Sequence, residues 1–144
     1  MTNSESIRPP SRRILRRVGA VIAGLFVIVI LDTTLDVIMH ATGIYPPWFQ
    51  PMRAGLWLLA IGYRAIDSIA GTYLTALLAP DRPLLHALIL GAIGVLFSSV
   101  GLIATWNKGP EFGPRWYPIA LLIMALPCAL IGGSLRQKHL AKSR

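Results

Sequence analysis

The sequence predicts an all-α, polytopic membrane protein with four transmembrane helices and both termini in the cytoplasm. Composition is the first reason. Hydrophobic residues fill 54% of the 144 positions and charged residues 14%, where a soluble domain carries about 25% charged residues. Mean hydropathy is +0.60. Such a chain is neither disordered nor an ordinary water-soluble globule. The second reason is that the apolar residues gather into four long runs. The third is that the cations lie outside those runs and are unequally shared between the two sides.

The first run is Val18–Met39, unbroken to Leu31 and then carrying Asp32 and Asp36. The second is Ala54–Ala79, which holds Arg64 and Asp67. The third, Leu84–Thr105, has only His86 near its start, and the fourth, Trp116–Leu135, has no charge at all. Each approaches or exceeds the ~20 residues that cross ~30 Å of hydrocarbon as a helix. Helix is required, because a few strands would leave an open sheet with unpaired backbone groups in lipid. Between the runs lie loops rich in Pro and Gly, which end helices. These are Ala41–Arg53, the Pro80–Pro83 turn and Trp106–Arg115. The domain organisation is therefore a basic tail over 1–17, expected to be disordered, a four-helix unit over 18–135, and a basic tail over 136–144.

Four spans put both termini on one side. Arg8, Arg12, Arg13, Arg16 and Arg17, then Arg82, and then Arg136, Lys138, Lys142 and Arg144 fall there. Arg53, Lys108 and Arg115 fall on the other. The positive-inside rule makes the richer side cytoplasmic. Tyr45, Trp48, Trp57, Trp106, Trp116 and Tyr117 lie at the outer ends, where amphipathic rings anchor. The net charge of +8 thus marks topology and contact with anionic lipid rather than nucleic acid, since no folded polar surface interleaves the cations. Ser11-Arg12-Arg13 bears a superficial likeness to an export signal. Arg16 and Arg17 interrupt it, and no small-residue cleavage site follows Leu31, so an uncleaved anchor is expected.

Small residues mark where helices approach in lipid. The third run has a stripe, Ala87, Gly91, Gly94, Ser98, Gly101 and Thr105, spaced for left-handed packing. The second has Ala65, Ser68, Thr72, Thr75 and Ala79, and the first has Ala20 and Gly24. These are read as seams joining the second and third helices, with a homodimer contact as the alternative. Pro118 and Pro127 predict a kink in the fourth helix.

Ionisable groups at depth need a partner or water. Asp32, Asp36 and His40 share one helical face. At about 1.5 Å per residue, Asp32 lies about 12 Å and Arg64 about 15 Å below the outer side, so an Asp32–Arg64 ion pair is expected. Asp67, three residues from Arg64, competes for it. One intramembrane cation faces three aspartates, which leaves Asp36 without a charged partner. Tyr63 and Thr33 are candidate hydrogen-bond donors to this cluster. The cluster reads either as a clamp fixing helix register or as a polar, proton-binding pathway open to the outside. No metal or cofactor is expected: His86 and His139 lie on the opposite side from His40, and Cys128 is the lone cysteine. No enzyme is expected either. There is no Gly-x-Ser-x-Gly elbow, phosphate loop, Cys-x-x-Cys pair or lysine within a span, and Ser98 and Ser99 have no base beside them. His86 is read as bonding Asp81 or capping local carbonyls.

Several strings within residues 50–136 carry a resemblance. They are Ala70-Gly71-Thr72-Tyr73-Leu74-Thr75-Ala76, Leu78-Ala79-Pro80, Pro83-Leu84-Leu85-His86-Ala87, Gly113-Pro114-Arg115-Trp116-Tyr117-Pro118, and Leu126-Pro127-Cys128 before Gly132-Gly133. Together they resemble small four-helix bacterial inner-membrane proteins with no established activity. The resemblance implies a multi-pass inner-membrane location and transfers no catalytic residue. Small multidrug exporters share four spans and a carboxylate in the first, but this chain has paired aspartates and a strong orientation bias. The function expected is a non-catalytic accessory or structural membrane protein, or a subunit of a larger complex or homo-oligomer. The alternative is a small proton- or cation-coupled transporter using Asp32, Asp36 and Asp67.

Overall fold

The computed structural model describes residues 10–143. They form four long helices: α1 (Pro10–Ala41), α2 (Ala54–Leu78), α3 (Pro83–Thr105) and α4 (Trp116–Lys142), with a short 3-10 turn at Pro110–Phe112. Each interhelical loop sits where Pro and Gly were read as punctuation. Pro83 opens α3 and Pro118 falls in the first turn of α4, both positions where a missing backbone donor costs nothing. Pro127 lies inside α4. The basic stretch Arg12–Arg17, expected to be disordered, is helical, because α1 begins at Pro10 and continues without a break. Residues 1–9 of that expected tail lie outside the described residues. The basic end at Arg136–Lys142 likewise continues α4 as helix.

The helices α1 and α3, and the Pro110–Lys142 stretch containing α4, are long and apolar enough to cross a membrane. Their large side chains point outward: Ile22, Phe26, Phe97, Ile103 and Ile123 are all exposed. In water this surface would be untenable; in lipid it is ordinary. α2 is long enough but less apolar, holding Arg64, Asp67, Thr72 and Thr75. It is also the helix with the most buried positions, and it packs against α1, α3 and α4. The face of α2 that meets other helices touches side chains rather than acyl chains, so polar groups are tolerated there, as they are at Asp32 and Asp36 on the face of α1 that meets α2.

The packing differs from expectation at the small-residue seams. Ala87, Gly91 and Gly94 do not join α3 to α2; they join α3 to α4. A Cβ built on Gly91 would meet Ala129 at 2.6 Å, and one on Gly94 would meet Ala125 at 3.5 Å. Gly133 of α4 faces Ala87 in the same way. The reason is complementarity, since Ala125, Ala129 and Gly133 give α4 a matching stripe. The α2 stripe divides between two partners. Thr75 and Gly71 meet Gly24 of α1, where an added Cβ would lie 2.6 Å from the Gly71 carbonyl oxygen. Thr72 meets Gly132 of α4, where a Cβ would lie 2.7 Å from the Ile69 carbonyl oxygen. Gly101 has nothing within 4 Å, so the α3 stripe ends as a seam before it reaches Gly101.

Candidate functional site

The polar cluster forms between α1 and α2 near the end bearing the Ala41–Arg53 loop. Spacing of four residues brings Asp32 and Asp36 to the same face of α1, and Arg64 reaches across from α2. Its Nη1 donates to Asp32 Oδ2 at 3.0 Å and its Nη2 donates to Asp36 Oδ2 at 2.6 Å. The expected Asp32–Arg64 pair is therefore present, and Asp36, expected to lack a charged partner, shares the same guanidinium. A planar fork with two terminal nitrogens serves two carboxylates at once, which a lysine ammonium does less well. Tyr63 donates its hydroxyl to the other oxygen of Asp36. The Tyr63 hydroxyl lies 3.4 Å from that of Tyr45, which also reaches the Leu56 carbonyl at 3.3 Å. Burial raises the Tyr45 phenol above its ordinary range. Tyr117, on the first turn of α4, lines the same recess as Asp36 and Arg64.

Asp67 does not take Arg64 from Asp32. It is 5% exposed and makes no ion pair with Arg64, whose carboxylate partners are Asp32 and Asp36. Asp32 Oδ1, Asp67 Oδ2 and Arg64 Nε are buried without a hydrogen-bond partner. Among the described residues, Thr33, expected as a donor, makes no hydrogen bond to the cluster. His40 stands apart from the carboxylates as well. Its Nδ1 bonds the backbone carbonyl of Asp36 at 2.7 Å, and its ring stacks on Trp48 with centroids 3.5 Å apart. It closes the end of α1.

Two cavities touch the cluster. One, of about 210 Å³, opens at the loop end beside Asp36, Tyr45, Trp48 and Tyr117. The other, of about 440 Å³, lies deeper among all four helices and has Asp32, Arg64 and Ser68 in an otherwise apolar wall, with Gly94, Ser98 and Gly101 opposite. The residues of the α3 stripe nearest the loop end thus line space. The aromatic residues expected as interfacial anchors also divide. Trp48, Trp106 and Trp116 are exposed, whereas Tyr45 and Trp57 are buried, Trp57 resting on Tyr117 at 4.6 Å between centroids.

At the other end of the bundle, Arg17 grips Asp81 through Nε at 3.1 Å and Nη2 at 2.5 Å. That hydrogen-bonded guanidinium holds the Asp81 carboxyl below its usual range. His86 caps the Arg82 carbonyl at 3.1 Å rather than bonding Asp81. The Arg17–Asp81 pair and Tyr117 were not visible as site residues in the sequence, because each depends on which helices become neighbours. No protein-family model matches the chain, and no curated protein or solved structure is significantly similar to it.

Proposed function

We propose that this is a four-span membrane protein of the bacterial inner membrane, with both termini cytoplasmic, acting as a non-catalytic accessory or structural component. The observation that carries this reading is the bridging of Asp32 and Asp36 by one Arg64. A guanidinium held by two carboxylates and ringed by tyrosines fixes α1 against α2, and it favours a clamp over a mobile ion site. The Ala41–Arg53 loop is the surface for a partner, either a second copy or another membrane protein. Its exposed aromatics, Trp48 at 55% and Phe49 at 83%, support this, as does the left-handed backbone of Phe49 at φ 65°, a strained conformation for an aromatic residue.

A second reading, a small proton- or cation-coupled carrier, is favoured by one observation. Asp32 lies in the wall of a 440 Å³ cavity with one buried oxygen lacking a partner. Infrared difference spectroscopy on the protein reconstituted in lipid separates the two. A clamp gives no carboxyl band that changes between about pH 6 and 8, far from the ~3.9 of free aspartate. A band in that window, lost in Asp32→Asn or Asp67→Asn, would make the carrier the better account.

A further inference from the structure

α1 and α3 run side by side but touch only slightly, each being held chiefly by another helix. The gap between them at the Arg17–Asp81 end is a cleft of about 600 Å³. Its walls are apolar: Val18, Val21 and Ile22 from α1 face Leu85, Ile89 and Ile93 from α3. Against its mouth lies a polar recess of about 590 Å³ that shares Arg17 and Asp81 and adds Arg12, Arg13 and Arg16. Arg82 stands on the rim of the cleft, its backbone turned left-handed at φ 42° by the Pro80–Pro83 turn.

We propose that the recess and the cleft together bind one anionic phospholipid, with its phosphate among Arg12, Arg16 and Arg82 and an acyl chain between α1 and α3. The charge argument is direct. Among the described residues, Arg12, Arg16, Arg17 and Arg82 line the recess and the rim of the cleft with one carboxylate, Asp81, which Arg17 already holds. Guanidinium groups bind phosphate oxygens through parallel hydrogen bonds, so a monoanionic headgroup fits the recess better than a zwitterionic one. The shape argument is independent of charge, because beyond Arg17, Asp81 and Arg82 the slot is lined by aliphatic side chains with His86 as its one polar residue. A free phosphate would fill the recess and leave that slot without an occupant. The inference needs this end of the bundle to meet the cytoplasmic leaflet, where anionic lipid attracts basic segments. It does not depend on whether the Arg64 cluster is a clamp or a carrier site.

The test is native mass spectrometry of the full chain released from detergent, titrated with palmitoyl-oleoyl phosphatidylglycerol or with the phosphatidylcholine of the same chains. One phosphatidylglycerol should be retained at concentrations about tenfold below those needed for phosphatidylcholine. Ile89→Trp, which fills the slot and changes no charge, should abolish that preference. Ile22→Trp on the opposite wall should do the same, and it decides the matter if the first variant does not fold. Asp81→Asn, which frees Arg17, should strengthen retention. Equal retention of the two lipids would overturn the proposal. So would displacement of the lipid by inorganic phosphate, which would mark a free-anion site. Normal retention in both tryptophan variants would also overturn it, since only diffuse attraction to the basic helix end would then remain.

Discussion

Arg64 stands between two carboxylates, and its removal would leave both without their cation. Breaking a buried pair from one side costs more than removing both partners, because the remaining charge stays desolvated. Arg64→Ala should therefore destabilise the protein by on the order of 3 kcal/mol. The triple change Arg64→Ala, Asp32→Asn, Asp36→Asn should recover much of that loss, read as the midpoint of unfolding in mixed micelles. Equal costs for the single and triple changes would mean that the network contributes nothing. Arg64→Lys should recover only part, since an ammonium lacks the fork that reaches Asp32 at 3.0 Å and Asp36 at 2.6 Å together. The pairing of Asp32 with Arg64 was legible from helix depth alone. That Asp36 would share the cation was not, because side-chain reach across α1 and α2 is set by how closely Gly24 and Gly71 let the two helices approach.

At the scale of elements, glycines decide which helices touch, and they do so unequally. Gly132→Val should separate α4 from α2, since even a single Cβ would press on the Ile69 carbonyl at 2.7 Å. Overpacking of this kind costs about 1–3 kcal/mol or more. Gly62→Ala, on the same α2 but with nothing within 4 Å, should be neutral or stabilising by up to about 0.5–1 kcal/mol. The two variants, compared by thermal unfolding, separate close approach from helix propensity. The N-terminal end of α1 carries a pH dependence of defined sign. Arg17 lowers the Asp81 carboxyl, so this contact is complete above the ordinary carboxylate range and weakens as pH falls through the lowered value. A spin-label pair on Leu15 and Leu84 should report α1 moving away from the α2–α3 turn only once the pH falls below the ordinary carboxylate range. Asp81→Asn should show no such transition.

For the whole molecule, the proposed orientation rests on where the cations fall, and impermeant thiol labelling of intact cells tests it. With Cys128 replaced by serine, a cysteine at position 108 should react from outside and one at position 142 should not. The reverse pattern would invert the topology.

Composition and spacing determined the helical class, the extent of the four runs to within a few residues at the loops, and the shared depth of Asp32 and Arg64. These follow from local physics: apolar length, proline and glycine punctuation, and the fixed rise of a helix. Where the basic tail becomes helix was missed, because Arg12–Arg17 adds no apolar signal to a helix that simply continues through it. Only the tertiary structure decided that α2 is the central helix, that the α3 stripe serves α4, and that a cleft remains between α1 and α3. Small residues state that a helix can be approached closely and leave open by which neighbour. That choice belongs to the complementary surface, here Ala125, Ala129 and Gly133, which lies in another part of the chain.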